Sequence, residues 1–320
     1  MATVSAGARL HFGFQNLSLA HTRLYGGLGV ALDEPRVRLH ATRSDAVDCP
    51  DPTVRRYARR ATAVLGVPGA AVTVDATLPR HVGLGSGTQV ALAVFAAVAA
   101  AYDRDVTVRE YAPDLGRGGR SGVGVAAFES GGFVVDGGHP TARFTTDPPD
   151  EGEWTVPPVV ARHDLPDDWR FVLVVPDTSR GRNGDREDES MRNVVERADA
   201  TIADEVSGVV TRRLLPAAAE GRLDAFGDAV AAIGRLNGAW YADEQGGVFR
   251  PPVGTVVDEL SSHPVVTGVG QSSWGPTVYG LTDAAHRSAA ADAARAALDA
   301  AGVDGDVRVA RPCNTGATVE

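Results

Sequence analysis

The order of hydrophobic and polar positions along the chain predicts strands and helices in mixed succession. Residues 1–45 read as strands joined by turns, and V-R-L-H at 37–40 alternates with the period of two that is typical of a half-buried strand. Further short apolar runs of strand length occur in the rest of the chain. These runs predict strands at 71–76, 132–135, 171–175, 265–268, 277–281 and 307–310.

Helices are predicted where apolar residues recur at helical spacing or where the composition is strongly apolar. In 53–65, Val54, Tyr57 and Ala61 share one face of such a helix. Further helices are predicted at 89–102, 106–115, 190–216, 222–236, 253–260 and 284–301. The polar, charged stretch 179–190 is predicted to be a mobile loop. This mixed order favours an α+β fold over a doubly wound parallel sheet.

An acidic, proline-rich stretch at 145–158 separates two parts of the chain. Clusters of proline and polar residues between patterned segments are typical of connections. The sequence therefore predicts an N-terminal domain at 1–150 and a C-terminal domain at 151–320.

The composition predicts a cytoplasmic protein that does not enter a membrane. The chain has 320 residues, of which 43% are hydrophobic, and this is ample for a full core. No apolar run reaches the roughly 18 residues of a membrane-spanning helix. The first residues do not have the basic and then apolar pattern of a signal peptide. Cys49 and Cys313 fit no metal spacing and are expected to be ordinary thiols in a reducing compartment.

The charges are unusual because all 31 basic residues are arginine, while the formal net charge is −10. An acid excess without lysine indicates a protein from concentrated salt, where repulsion between carboxylates is screened. A GC-rich genome would also favour arginine. The acidic balance argues against a nucleic-acid partner. Without lysine, pyridoxal phosphate cannot be anchored through a Schiff base, and a Walker P-loop cannot form.

The strongest candidate for chemistry is P-R-H-V-G-L-G-S-G-T-Q at 79–89, which runs into a predicted helix. Glycines let the backbone approach an anion closely, and the free N–H groups of the following helix favour negative charge. Ser86 and Thr88 add hydroxyl groups. The motif therefore predicts an anion-binding loop, with a plain strand-to-helix turn as the alternative.

This loop resembles the central phosphate-binding motif of the GHMP kinases, P-x-x-x-G-L-G-S-S-A. The stretch G-V-G-Q-S-S-W-G-P-T at 268–277 occupies the place of that family's third glycine-rich motif. The resemblance implies two α+β halves with the active site between them. In kinases similar to mevalonate kinase, S-G-x-D supplies the acid that handles the substrate hydroxyl. Here the matching segment at 121–124 ends in Gly124, and no lysine is available as its partner.

One non-kinase branch of the superfamily fits these departures, the β-ribofuranosylaminobenzene 5′-phosphate synthase family. The resemblance is carried by R-L-H-F-G-F at 9–14, H-V-G-L-G-S-G-T-Q at 81–89, S-G-V-G-V-A-A-F-E-S-G-G-F-V-V-D-G-G-H at 121–139 and G-Q-S-S-W-G-P-T at 270–277. It implies a condensation of phosphoribosyl diphosphate with 4-aminobenzoate or 4-hydroxybenzoate, in which diphosphate and carbon dioxide leave. The product would serve a methanopterin-type cofactor.

The resemblance also implies a homodimer and Mg²⁺ as the cofactor. The acidic run D-R-E-D-E at 185–189 would suit either Mg²⁺ or a solvated face, and no metal ligands are assigned. Two alternatives to the synthase stay open. One is an ATP-dependent small-molecule kinase with an acid from elsewhere, and the other is a ligand-binding homologue without activity.

The candidate catalytic residues are His11, Asp136 and His139. His11 is expected to line the site or to be structural, and Asp136 and His139 to bind metal, move a proton or stabilise a turn. Arg9 lies on the same strand face as His11 and is a candidate for binding a phosphate or the benzoate carboxylate. Trp274 is expected either to stack on the aromatic acid or to pack internally. The other candidate substrate-binding residues are Gly83, Gly85, Ser86, Gly87, Thr88, Gln89, Ser121, Gln271, Ser272 and Ser273.

The acid excess generates a prediction about salt. We expect the melting temperature to rise steadily as KCl is increased from dilute buffer to molar concentration, because salt screens the repulsion between surface carboxylates. Thermal unfolding followed by circular dichroism measures the effect. Equal melting temperatures at both extremes would contradict the interpretation of the charge balance.

Overall fold

The strands form two antiparallel sheets in the computed structural model, which describes residues 1–147, 149–150, 152–178 and 185–320, with side chains from 188 onward in the last segment. The first sheet has the order β11-β1-β2-β4-β6, with β3 and β5 also paired to β2, and the second has the order β10-β7-β9-β8. The strands are β1 Ala2–Asn16, β2 Arg23–Arg43, β3 Ala70–Ala76, β4 Phe133–Asp136, β5 His139–Pro140, β6 Val159–His163, β7 Trp169–Pro176, β8 Thr267–Gln271, β9 Val278–Asp283, β10 Gly305–Ala310 and β11 Thr318–Val319.

Helices cover the sheets and the space between them. They are α1 Pro52–Leu65, α2 Ser86–Ala101, α3 Val108–Tyr111, α4 Val123–Ser130, α5 Asp185–Arg197, α6 Ala200–Val209, α7 Leu215–Glu220, α8 Leu223–Gln245, α9 Val253–Ser261 and α10 Arg287–Ala301. A π-helical turn, Val210–Leu214, joins α6 to α7. Among the described residues, no helix is both long enough and apolar enough to cross a bilayer.

The predicted α+β class is confirmed by this arrangement. The predicted domain division at residue 150 stays a prediction. The two sheets do not divide the chain at residue 150. Strands β6 and β11 both lie beyond that residue and yet belong to the first sheet. The last strand thus returns to pair with the first, Val4 opposite Val319.

Most predicted elements are present, and the differences have local causes. The helix predicted from residue 89 already begins at Ser86, because Gly85 adopts a left-handed conformation and ends the loop there. The apolar run after Gly122 is the helix α4. The predicted helix at 190–216 is divided among α5, α6 and the π-helical turn.

The predicted mobile loop at 179–190 is wrong in its second half. Residues 179–184 lie outside the described residues, but α5 begins at Asp185. Its apolar residues Met191, Val194 and Val195 follow helical spacing and are buried in the core. The burial of this face stabilises a helix whose other residues are mostly charged.

Three hydrophobic clusters hold the molecule together. One lies between the first sheet and helices α1 and α2, and another between the second sheet and helices α9 and α10. The third joins the two sheets through closely packed aromatic rings. Phe226 of α8 lies 5.1 Å from the ring of Phe133 and 5.2 Å from the ring of Trp169, measured between centroids. Because this cluster contains residues of both sheets, the two halves share one core.

A polar clamp within this junction fixes β1 against α8. The amide oxygen of Asn237 accepts a hydrogen bond of 2.7 Å from the Phe14 N–H, and its amide nitrogen donates to the Phe14 carbonyl at 3.0 Å. The same nitrogen donates to Ile233 O at 3.2 Å. Any side chain at Gly13 would begin 2.6 Å from this amide, so the close approach requires glycine at that position. β1 therefore reaches the site in a fixed position.

We expect Asn237→Ala to lower the free energy of unfolding by about 1–3 kcal/mol, because it leaves buried backbone groups of Phe14 without partners. Denaturant unfolding in molar KCl measures the loss. The exposed Arg235 on the same helix offers a matched control, for which Arg235→Ala should change stability by no more than about 0.5 kcal/mol. An equally small effect of Asn237→Ala would contradict the role of the clamp.

Candidate active site

The glycine-rich loop at 81–87 ends in a helix start that has no side-chain cap. Gly85 is the N-cap of α2, with φ of 76°, and no side chain of the described residues accepts a hydrogen bond from the helix start. The backbone N–H groups of Thr88 and Gln89 are satisfied by Gly85 O. The first turn of α2 therefore offers its remaining amides and its dipole to an anion.

The second glycine-rich stretch, 270–277, holds this loop in place by contacts to its backbone. The Ser272 hydroxyl donates to Gly83 O at 2.8 Å, and the Thr277 hydroxyl donates to Val82 O at 2.5 Å. A side chain at Gly275 would begin 2.1 Å from Val82 O, so the two backbones touch only because glycine is present. The motifs that sequence analysis selected independently thus form one structure.

Two arginines flank the anion loop. Arg9 donates to Gly83 O at 2.7 Å, and its side chain lies against Gly85, where a Cβ would be 2.8 Å from Arg9 Cγ. On the other side, Arg117 Nη1 lies 3.2 Å from the Cβ position of Gly87. Arg117 was not selected from the sequence. Its guanidinium stacks over the ring of Tyr57 at 5.3 Å and donates to the Tyr57 hydroxyl. Two positive charges therefore lie beside the loop of this acidic protein.

His11, Ser121 and Asp136 form a hydrogen-bonded series beneath the loop. Ser121 Oγ donates to Asp136 Oδ2 at 3.1 Å and accepts from the Val123 N–H at 3.2 Å. Its hydrogen is then in use, so His11 Nε2, at 3.2 Å, must be the donor to Ser121 Oγ. This arrangement fixes the tautomer of His11 and leaves Nδ1 as the nitrogen with the lone pair. Gly27 makes room for the junction, since a Cβ there would lie 2.1 Å from Ser121 Oγ.

Burial shifts the pKa values of both ionisable groups in this series. Burial, together with the charge of Arg9, lowers the pKa of His11 to about 3, so His11 is neutral at physiological pH. Burial raises the pKa of Asp136, and hydrogen bonds from Gly138, Gly27, Gly122 and Ser121 oppose that rise. Asp136 is fully buried and its oxygens are occupied by these donors. The geometry therefore favours a role for Asp136 in positioning Ser121 and the adjoining backbone.

His139 is connected to His11 through aromatic rings and not through hydrogen bonds. Its ring stacks on Phe144 at 3.6 Å and meets Tyr25 edge-on at 6.5 Å. Tyr25 contacts Phe14 at 5.5 Å, and Phe14 contacts His11 at 4.8 Å. Burial lowers the pKa of His139 to about 4. His139 therefore lies at the far end of the aromatic series that begins at His11.

The remaining predicted residues fall into three groups. Gln89 and Ser272 are buried and bonded to the backbone, Gln89 to Gly124 O at 2.8 Å and Ser272 to Gly83 O and the His11 N–H. In this structure they support the loops. Gln271, Ser273 and Trp274 instead line an open pocket, while Ser86, Gly87 and Thr88 belong to the first turn of α2.

This pocket, which we call the α8 pocket, is lined in part by His11 and is open to solvent; the space it encloses together with the solvent at its mouth is about 450 Å³. Rings form much of its wall, with Tyr241 and Trp274 packed at 4.6 Å between centroids. Polar atoms come from Gln245 and Gln271 at its rim. The lining residues are His11, Phe12, Gly13, Phe14, Gly234, Asn237, Gly238, Tyr241, Gln245, Val248, Phe249, Gln271, Ser273 and Trp274. Sequence analysis missed the contribution of α8, because helical spacing does not reveal what a face packs against.

Within the part of the chain that the structure describes, no three histidine, cysteine or carboxylate side chains converge to hold a metal ion. Of the acidic run at 185–189, Asp188 pairs with Arg120 and Glu189 is exposed. A role of this run in binding Mg²⁺ stays a prediction.

Comparison with known proteins places these features in one family. The GHMP kinase N-terminal and C-terminal domain models match residues 52–132 and 214–302. The chain is 35% identical over 291 residues to the beta-ribofuranosylphenol 5′-phosphate synthase of Archaeoglobus fulgidus and 31% identical over 296 residues to that of Methanothermobacter thermautotrophicus, with 88% of each chain covered in both cases. The chain belongs to this synthase family. The relatives are enzymes, and the resemblance seen in the sequence is confirmed.

Solved structures show that the family has the GHMP kinase fold. Streptococcus pneumoniae phosphomevalonate kinase superimposes with a TM-score of 0.67 at 13% identity, covering 97% of this chain and 98% of the kinase. Mevalonate diphosphate decarboxylase of Staphylococcus aureus gives a TM-score of 0.67 at 15% identity, covering 100% and 98%. At such identities the likeness concerns the fold alone. The predicted GHMP-like architecture is thereby confirmed.

The buried histidines generate a prediction about pH. Burial lowers the pKa of His139 from 6.5 to about 4. On acidification, His139 is therefore protonated at a lower pH in the folded state than in the unfolded state. The resulting stabilisation is complete above pH 6.5 and is lost as pH falls from 6.5 toward 4. We expect His139→Phe, which keeps a ring against Phe144, to reduce the acid-induced loss of stability by up to about 1.4 kcal/mol per pH unit.

Denaturant unfolding of both proteins across this pH range, in molar KCl, measures the difference. Above about pH 7 the two stability curves should run parallel, because His139 is then neutral in both states. Parallel curves at all pH values would show that His139 is not held neutral by burial.

Proposed function

We propose that the protein transfers the ribose 5-phosphate unit of phosphoribosyl diphosphate to 4-hydroxybenzoate, with loss of diphosphate and carbon dioxide. The proposal rests on membership of the synthase family and on one observation at the site. Gly124 stands at the position where the kinase pattern has an acid. The space beside it is filled by Thr88, whose Cγ2 lies 3.1 Å from the Cβ position of Gly124. Any side chain at Gly124 would press on Thr88, which would have to shift within the first turn of α2.

Asp136, the acid that the described residues place beside Ser121, does not suit a kinase either. Asp136 is enclosed and accepts hydrogen bonds from Ser121 and from the N–H groups of Gly122 and Gly138. His11 is neutral and donates to Ser121. What the described site does offer is an anion loop with Arg9 and Arg117 beside it. This composition suits a reaction driven by the departure of a polyanion.

The proposed reaction balances without a base. The bond between the ribose anomeric carbon and the diphosphate oxygen breaks, and its electron pair leaves with diphosphate. The ring carbon that bears the carboxylate then forms a carbon–carbon bond to the anomeric carbon, assisted by the para hydroxyl. The bond to the carboxylate breaks next, its electrons restore aromaticity, and carbon dioxide departs. Since no net proton is transferred, a neutral His11 is compatible with the chemistry.

The name of the relatives supports the choice of acceptor. They are beta-ribofuranosylphenol 5′-phosphate synthases, and a phenol product corresponds to 4-hydroxybenzoate in this reaction. 4-Aminobenzoate is the second acceptor that the chemistry allows, since an amino group can also assist the attack. A role for the product in a methanopterin-type cofactor, an involvement of Mg²⁺ and a homodimer are part of the same proposal.

An incubation with phosphoribosyl diphosphate, Mg²⁺ and carboxyl-labelled 4-hydroxybenzoate tests the reaction. We expect labelled carbon dioxide and diphosphate to appear in equal amounts, because the carboxylate leaves only after the ring carbon has attacked. In Gly85→Val, a branched side chain at a left-handed position would strike Arg9, so both products should be lost.

Parallel incubations with ATP and homoserine, mevalonate, galactose or pantoate should give no ADP. Diphosphate without carbon dioxide would indicate hydrolysis or attack through oxygen. Formation of ADP with any of these alcohols, together with no carbon dioxide from either benzoate, would replace the synthase proposal by a kinase. Binding of phosphoribosyl diphosphate without any turnover would indicate an inactive homologue.

A further inference from the structure

We infer that the α8 pocket is the binding site for the aromatic acid, and that Gly234 leaves the space for its ring. This inference rests on the proposed function for the identity of the ligand. Its structural basis is independent, because it concerns a buried position of α8 at which a side chain is missing.

Gly234 lies in the middle of α8, where glycine is unfavourable. A glycine in a helix interior costs roughly 1 kcal/mol relative to alanine. Gly238 of the same helix is explained by a close neighbour, since a Cβ there would lie 2.2 Å from Val248 O. Gly234 is buried, yet a Cβ at this position would meet no atom within 4 Å. Packing therefore gives no reason for the missing side chain.

The empty position faces a pocket whose walls suit a flat ring. Gly234 lines the α8 pocket together with Phe14, Tyr241 and Trp274. Aromatic rings in such walls bind planar apolar ligands through their faces and edges. The amide groups of Gln245 and Gln271 bond to each other, to Val248 O and to the Arg250 N–H, and so hold this part of the wall in place.

The α8 pocket also lies close to the anion loop. His11 lines it and lies beside Arg9, whose charge acts on the His11 ring and whose side chain touches the anion loop at Gly85. Ser273 lines the pocket as well, and the adjacent Ser272 bonds to Gly83 of the same loop. A ring in the pocket would therefore stand next to a phosphoribosyl group held by that loop, as carbon–carbon bond formation requires.

The test is to fill the empty position and to measure binding of 4-hydroxybenzoate by calorimetry, in molar KCl with saturating diphosphate. We expect the dissociation constant to rise in the order wild type, Gly234→Ala, Gly234→Leu, with a loss of at least about tenfold for leucine. Diphosphate binding and the melting temperature should not fall in Gly234→Leu, because the added side chain enters empty space.

A matched control is Gly208→Leu in α6, where the new side chain would meet the flexible end of Arg212 and which lies outside the α8 pocket. Its affinity for 4-hydroxybenzoate should equal that of wild type. If Gly234→Leu also binds 4-hydroxybenzoate with unchanged affinity, or if wild type does not bind it at all, the inference is wrong. If wild type binds the acid and Gly234→Leu does not, yet no carbon dioxide is released, the α8 pocket stands and the proposed reaction fails.

Discussion

The structure depends on a contact between two stretches of backbone that are distant in sequence. The loop before α2 and the turn between β8 and β9 approach so closely that side chains are excluded at Gly83 and Gly275. Hydroxyl groups of Ser272 and Thr277 then satisfy the carbonyls of the loop. These bonds satisfy the carbonyls of Val82 and Gly83, and the uncapped start of α2 remains as the proposed anion site. The same contact joins the two sheets at the point where chemistry is expected.

This contact bears on how a strongly acidic protein could hold the proposed anionic substrate. The net charge of −10 would repel a polyphosphate at long range, and more weakly in concentrated salt. Local attraction must then come from groups within a few ångströms, which salt screens less. Arg9 and Arg117 lie against Gly85 and Gly87, and the uncapped start of α2 adds backbone donors. The neutral state of His11 avoids burying a further charge beside Arg9.

The sequence was sufficient for the features that depend on local pattern. The glycine loop, most strands and helices and the family resemblance could all be read from runs of adjacent residues. The acidic helix α5 could not be predicted in this way. It is stabilised by the burial of Met191 and Val194 in a core that forms only in the folded protein. The α8 pocket was missed for a related reason. Gly234 and Tyr241 are ordinary helix residues until tertiary packing places them opposite β1. Gln89 resembled a ligand-binding residue, but the fold uses it to bond Gly124.

A fold shared with kinases does not imply their chemistry, and the contact of Thr88 with Gly124 shows one physical reason. A kinase of this pattern needs an acid beside the helix start in order to handle a substrate hydroxyl. A ribosyl transfer that ends in decarboxylation has no such proton to manage, since the electrons released with carbon dioxide neutralise the charge on the ring. In the proposed reaction, the absence of the acid also means one negative charge fewer beside the departing diphosphate. The same scaffold thus keeps its anion site while the neighbouring position changes from an acid to the methyl group of Thr88.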